Sequence, residues 1–278
     1  MMSAVGEINT FGELLRRWRT TRRVSQLELG LDAEVSARHI SFIETGRSRP
    51  SREMVVILSS VLDVPLRERN ALLIAAGFAP VYRETDLNAP QMAQVRHALE
   101  LILKQQQPFG AIVFNRHWDL VMANEAYLDL AAMLSGTGVR PFEPYTITPS
   151  PRLNILKLLF DPNAWRKHIV NWETVARSTL DRLHREAIQY RDPTLRELLL
   201  ALLEYPDVPM RWRDPDFETP QDVIIPVEIR LGEITLRLFS TVTTLGTPQD
   251  ITLQELSIEA FHPADEATAQ IIKAMAAG

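Results

Sequence analysis

Residues 25–47 read SQLELGLDAEVSARHISFIETGR. Ser25 is a good N-cap, Gln26 opens a short helix, and Leu27, Leu29 and Leu31 supply its apolar contacts. Val35 occupies a tight turn. Ser36 then caps a second helix by accepting a hydrogen bond from a free N–H two or three residues on. Ile40 and Ile43, at i and i+3, point inward and leave Ala37, Arg38, Ser41 and Phe42 on the outer face. Gly46 stands where a helix-ending glycine belongs. A short helix with apolar anchors inside and hydrogen-bonding side chains outside has the form of one that enters a DNA major groove. An ordinary helical hairpin with a solvated face would show the same stripe, so the surroundings decide.

Upstream, Phe11, Leu14, Leu15 and Trp18 fall at i, i+3, i+4 and i+7, followed by Arg19, Arg22 and Arg23. Downstream, Arg47, Arg49 and Arg52 flank Pro50. Two apolar helices follow, one on Met54, Val55, Leu58 and Leu62 and one on Leu66, Leu72, Leu73 and Ala76. Between residues 11 and 52 there are nine arginines against five acids, at the segment edges where phosphates would run.

These residues carry a resemblance. Residues 11–79 resemble the five-helix lambda-repressor-like domain of XRE-type transcription regulators. The run RHISFIETGRSRPSREMVVILSSVLDVPLRERNALLIAAGFAPVYRE (38–84) is similar to the MmyB-like branch of that family. The resemblance implies that Gln26, Ser36, Ala37, Arg38, Ser41 and Phe42 face double-stranded operator DNA, with His39, Arg47 and Arg49 completing the set. Arg38 suits guanine O6 and N7 in bidentate fashion, worth about 1–3 kcal/mol of discrimination. Two residues depart from the family pattern. Gly30 replaces the usual alanine, at a helix cost of about 0.5–1 kcal/mol. Glu34 replaces a turn glycine and is strained if that position needs φ > 0.

The chain has 278 residues, 46% hydrophobic and 23% charged, which describes a globular protein large enough for two domains. No apolar run approaches the roughly 18–20 residues that span a bilayer, and the first residues lack a secretion signal. Cysteine is absent, which excludes disulfides and thiolate chemistry. The expected location is cytoplasmic, associated with the nucleoid. Net charge is −5, split as +2 over residues 1–85 and −7 over the remainder, so DNA contact belongs to the N-terminal part.

Gly77-Phe78-Ala79-Pro80 ends the fifth helix, and residues 86–90 lack periodicity. A helix with Met92, Val95, Leu99, Ile102 and Leu103 on one face follows, stopped by Pro108. From Gly110 the period changes. Residues 111–114 and 120–123 are short β-type runs around a turn, and Asn124 caps a helix. That order resembles the opening of a PAS domain, and FNRHWDLVMANEAY (114–127) is similar to the start of the MmyB-like ligand-binding domain. Leu153, Leu156, Leu159 and Phe160 form one helical stripe. A longer helix carries Trp165, Ile169, Trp172, Val175, Ala176, Leu180 and Leu183, and a last one runs from Asp192 through Leu202. The run LLFDPNAWRKHIVNWETVARSTLDRLHRE (158–186) also resembles the MmyB-like pattern. Residues 206–220 read as a surface loop. Strands are expected over 223–230, around 234–242 and from Ile251 to Ala260. In the last, a change of phase between Leu253 and Leu256 predicts a β-bulge near Gln254-Glu255. Pro263 opens a final helix.

The expected architecture is an all-α, five-helix lambda-repressor-like DNA-binding domain over 8–80, a linker and connecting helix over 81–108, and an α+β PAS-like domain over 109–278. The latter has about five antiparallel strands with inserted helices. Six scattered histidines show no metal-ligand spacing, and no nucleophile elbow or phosphate loop occurs, so neither a metal site nor an enzyme is expected. MmyB-like domains are associated with fatty-acid-like ligands. The resemblance therefore implies a small apolar ligand, for which Phe114, Trp118, Asn124, Tyr127, Phe160, Trp165, Trp172 and Arg177 are candidate contacts. For any one of the aromatics, filling the core is the better reading. A carboxylate head would find Arg116, Arg177, Asn124 or Arg230. The reading is a homodimeric DNA-binding regulator with a ligand-sensing second domain and no membrane partner. A second domain serving only dimerisation or a protein partner is one alternative, and an enzyme with a DNA-binding appendage is another.

Overall fold

The computed structural model describes residues 10–214, 224 and 226–277. Residues 8–9 of the expected first domain, 215–220 of the expected loop, and 223 and 225 of the expected strand 223–230 lie outside the described residues. In chain order the helices are α1 Phe11–Thr21, α2 Gln26–Asp32, α3 Ala37–Glu44, α4 Arg52–Val61, α5 Leu66–Ala75, α6 Ala93–Gln105, α7 Glu125–Ser135, α8 Ile155–Phe160, α9 Trp172–Tyr190, α10 Pro193–Leu203, α11 Ile251–Gln254 and α12 Glu266–Ala277. The strands are β1 Ala111–Phe114, β2 Leu120–Ala123, β3 Val227–Leu231, β4 Ile234–Thr244 and β5 Ser257–Pro263. The chain divides into two units. One is the segment up to Thr85 together with Gly246–Gln254; the other is Asp86–Leu245 with Glu255 onward.

In the first unit, α1–α5 close around Leu15, Trp18, Leu29, Ile40, Ile43, Leu58 and Leu72, all buried. The caps follow from the sequence. Ser25 and Glu28 bond each other's backbone reciprocally, and the Ser36 and Ser51 hydroxyls accept the N–H groups of His39 and Met54. α5 has no side-chain cap of its own after Pro65. Its first N–H, from Leu66, donates instead to Gln254 Oε1 at 2.6 Å. The segment 246–254 is fixed further where Asp250 accepts the Thr85 hydroxyl (2.6 Å) and Arg83 O accepts the Ile251 N–H (2.8 Å).

Three expectations change here. Leu29 is fully buried, but Leu27 and Leu31 are 62% and 70% exposed. Alternation at i, i+2, i+4 suits a strand; on a helix the outer two share the face opposite the middle one. The segment from Ile251 forms a helical turn, so no bulge arises at Gln254-Glu255, and β5 begins at Ser257. Gly30 is also more than a weak helix former. A Cβ there would stand 2.7 Å from Val35 O and 3.1 Å from Ala37 N, so glycine lets α2 lie against the turn that leads to α3.

In the second unit all five strands are antiparallel, in the order β2-β1-β5-β4-β3, which is a PAS-like sheet with helices inserted between β2 and β3. β5 is central, and it pairs Glu259 with Ile112 on one side and Val242 on the other. A register shift falls between Val113 and Phe114. The expected long helix from Trp165 breaks before α9, because Ile169 bridges to Ile229 and Val170 N–H donates to Glu228 O at 2.8 Å. Asn171 secures the break by bonding Pro226 O and the Glu228 N–H. Leu153 is exposed and precedes α8, where its carbonyl accepts the Leu120 N–H. Ile102, expected on the inner face of α6, is exposed, whereas Leu99 and Leu103 are buried.

The Gly30 contact is testable. Alanine's intrinsic advantage in a helix is about 1 kcal/mol, whereas forcing a methyl against backbone costs about 1–3 kcal/mol. Gly30→Ala should therefore lower the urea midpoint of the first unit's unfolding; a midpoint unchanged or raised would show that the turn yields.

Candidate functional site

The outer face of α3 is built from beneath. Ile40 and Ile43 anchor it, and Glu44, whose side chain is 2% exposed, locks it to α1 and α2. Arg19 donates to the Glu44 carboxylate with Nε at 2.6 Å and Nη2 at 3.0 Å, and Gln26 Nε2 donates to it at 2.8 Å. Its hydrogen bond to Glu44 is the main reason the Arg19 guanidinium is held even more firmly protonated than usual, burial opposing. Arg22 is likewise committed inward, to Leu62 O and Asp63 O. Two of the nine arginines counted toward a phosphate-facing edge are thus structural.

Of the residues expected to meet DNA, Arg38 and Arg47 gather around Phe42. Arg38 is exposed on α3 and lies 5.2 Å from the Phe42 ring centroid, with Arg47 at 6.0 Å from the same ring. Such stacking pre-orients a guanidinium without occupying its donors. Ala37, His39 and Ser41 are half-buried along α3, and Arg49 is exposed beyond it. Ser36 uses its hydroxyl as the α3 cap. Gln26 spends its amide nitrogen on Glu44, which leaves its oxygen outward-capable as an acceptor. Glu34 has φ +56°, the strained condition anticipated for a non-glycine residue at this turn.

The second unit encloses a cavity of about 550 Å³. Leu130, Leu134, Leu156, Ile169, Leu236 and Phe261 are among the apolar residues around it, and α7, α8, α9, α12 and the sheet all contribute. Of the candidate contacts, Trp118, Tyr127 and Trp165 line it, and Tyr127 meets Trp165 edge-on at 5.9 Å. The others do different work. Phe114 stacks on Trp118 at 4.9 Å, and the fully buried Phe160 packs edge-on against Trp172 at 4.8 Å. Trp172 Nε1 donates to Asp207 O. Asn124, fully buried, accepts the N–H groups of Ala111 and Tyr127 and donates to Phe109 O and Leu103 O. Arg177 pairs with Glu173 and bonds Arg211 O, and Arg116 pairs with Asp192 and Glu255. Arg230 offers its carbonyl to His168 and does not line the cavity.

Polar groups at the cavity that were not anticipated include Arg182, Glu259 and Ser240. Arg182 lies 4.3 Å over the Trp118 ring and pairs with Glu186, which also accepts the Trp118 Nε1 hydrogen. Glu259 and Ser240 face it from β5 and β4. Burial is the leading influence on Glu259 and raises its carboxyl above the usual range, against the lowering effects of the Ser240 hydroxyl and Arg182. Burial, with Glu259 adding to it, likewise raises the Tyr127 hydroxyl. Strand phase hid Glu259. On a central strand both faces are covered, so Ile258 and Glu259 are buried together and hydrophobic alternation gives no direction.

Among the described residues no group of histidines and acids is arranged to hold a metal ion, and no helix is long and apolar enough to cross a membrane.

The helical unit and the sheet with its cavity define a DNA-binding regulator with a ligand-binding domain. Comparison with known families agrees: residues 10–72 match a helix-turn-helix domain, and residues 95–275 match the MmyB-like transcription regulator ligand binding domain. The chain belongs to this MmyB-like regulator family. No curated protein matches it.

The two roles inside the helix-turn-helix separate by substitution. Glu44→Ala strands Arg19 and should cost about 3 kcal/mol of stability, as for a broken buried ion pair. Arg38→Ala should change stability by no more than about 0.5 kcal/mol. In selections from randomised duplex DNA, Arg38→Ala should flatten the preference at one base pair. An unchanged preference would remove Arg38 from the reading surface.

Proposed function

We propose that this chain is an XRE-type regulator whose hold on operator DNA is set by a small apolar ligand in the second unit, acting as a cytoplasmic homodimer and without catalysis. The observation that carries this is the cavity, sized and lined as small-molecule sites are. A long hydrocarbon chain, such as a fatty acid has, suits the slot, since each buried methylene contributes about 0.8 kcal/mol. A two-fold dimer would meet half-sites about 34 Å apart, where small shifts alter affinity.

A route from ligand to DNA supports the reading. Leu236, Leu238 and Ser240 on β4, and Glu259 and Phe261 on β5, line the cavity. The segment joining these strands, 246–254, belongs to the first unit, where Gln254 caps α5. A ligand that favours one spread of the two strands would bias α5 through this cap, and by reciprocity DNA would bias ligand affinity.

Native mass spectrometry of the purified full chain tests the reading. The expected result is a mass excess of a few hundred daltons, on the order of one lipid-like molecule filling such a site, that disappears on denaturation. A bare chain that also gains no mass when offered long-chain compounds would shift the second unit to dimerisation or partner binding. The route has its own test. Gln254→Ala should keep the ligand yet shrink the difference in DNA affinity between loaded and empty protein; an undiminished difference would reject it.

A further inference from the structure

The stretch that leads into α9 runs along an edge of the sheet. β3 is the last strand in the order, so one row of its backbone groups has no strand beside it among the described residues. Residues 168–171 follow that row. The Val170 N–H donates to Glu228 O at 2.8 Å, and the Asn171 side chain accepts the Glu228 N–H at 3.0 Å and donates to Pro226 O at 2.7 Å. Next in the row, Arg230 O meets a side chain instead, the His168 ring, whose Nδ1 stands 3.1 Å away. The other ring nitrogen, Nε2, lies 3.0 Å from Leu134 O. Leu134 is in the last turn of α7, where a helix offers its carbonyls no partner of its own. His168 thus joins the end of α7 to the edge of β3, and Leu134, Ile169 and Ile229 around it line the cavity.

Both partners of the ring are carbonyl oxygens, which only accept. A neutral imidazole has one N–H and one lone pair, so it serves one carbonyl and turns a lone pair toward the other. An imidazolium donates from both nitrogens, and its charge suits the C-terminal end of a helix. The acids on the elements packed about the ring are engaged or distant. Asp129 of α7 pairs with Arg140, Glu228 of β3 pairs with Arg237, and Glu125 is exposed at the opposite end of α7. Four cations oppose a charge on the ring. Arg166 lies over the Trp172 ring at 4.4 Å, and Lys157, Lys167 and Arg230 are exposed, where salt screens them.

We propose that His168 is a proton-operated clasp on the cavity wall. Protonated, it fastens the end of α7 to β3; neutral, it holds one of the two and releases the other. The carbonyls set the sign, so acid closes the clasp and alkali loosens it. Acid therefore stiffens the wall that Leu134 and Ile169 give to the cavity. The clasp stands on its own geometry and does not depend on what fills the cavity.

Hydrogen exchange of the full chain tests this, followed by mass spectrometry at about pH 5.5 and about pH 8, which bracket the ordinary histidine range. Rates are corrected for intrinsic exchange at each pH. Residues 130–136 should be about fivefold better protected at the lower pH, the scale of a cation at a helix C-terminus. The stretch 175–183 of α9, in the same unit and carrying the buried Val175, Ala176, Leu180 and Leu183, should show no such change and is the internal reference. In His168→Gln an amide that does not titrate replaces the ring, and the difference at 130–136 should vanish. Equal protection of 130–136 at both pH values in the unaltered chain, or a change matched by 175–183, would overturn the proposal without any variant. A folded His168→Gln protein that keeps the difference would overturn it as well.

Discussion

A carboxylate taken out of water has to be given partners, and Glu44 shows how much geometry that requirement fixes. Its side chain is 2% exposed and receives three hydrogen bonds, two from Arg19 on α1 and one from Gln26 on α2. Glu44 is the last residue of α3. Meeting its demand therefore sets where the C-terminal end of α3 stands against both earlier helices, while Ile40 and Ile43 set its depth. The outward set, from Arg38 to Arg47, inherits its direction from that buried network. Arg19 is consequently unavailable to phosphate, although sequence alone ranks it with the other arginines.

The second unit meets the same constraint by other means. Asn124 spends all its hydrogen-bonding capacity internally, tying the end of α6, the start of β1 and the first turn of α7 into one joint. Asp192 is pushed up by burial but lowered further by His117 and Arg116, so its carboxyl rests below the usual range while it caps α10. Glu259 is the exception, since burial prevails over its neighbours there. Two buried acids with fixed partners are parts of the scaffold. A third faces the cavity beside the Ser240 hydroxyl.

Much of this was legible in the sequence, for identifiable reasons. Caps are local, so Ser25, Ser36, Asn124 and Asp192 announce their helices. The alternation of Leu236 and Leu238 with Thr235 and Arg237 gives β4, because one face of that strand is wet. Two of the misses share a cause: the deciding partner is distant in sequence. α9 starts late because Asn171 is claimed by residues 55 and 57 positions away. Ile251–Gln254 turns helical because Leu66 and Thr85 hold its ends. Aromatic residues gave the cavity only in part. Trp118, Tyr127 and Trp165 line it, whereas Phe160 and Trp172 fill each other's space, and a stripe pattern cannot tell a wall from a fill.

The topology also bears on how one chain could link two tasks. Coupling between the two sites of a regulator is typically about 1–3 kcal/mol. A helix cap is worth about 0.5–2 kcal/mol, the same scale. The bond from the Leu66 N–H to Gln254 is such a cap, made by a side chain that follows β4 and precedes β5. On the proposed reading the loop between two cavity-lining strands thus supplies a contact whose loss is small enough to leave both units folded. It is still large enough to move a DNA-binding equilibrium by a factor that matters. The bonds from Thr85 to Asp250 and from Ile251 to Arg83 keep the loop in place, so the Leu66 cap is the contact free to vary on that scale.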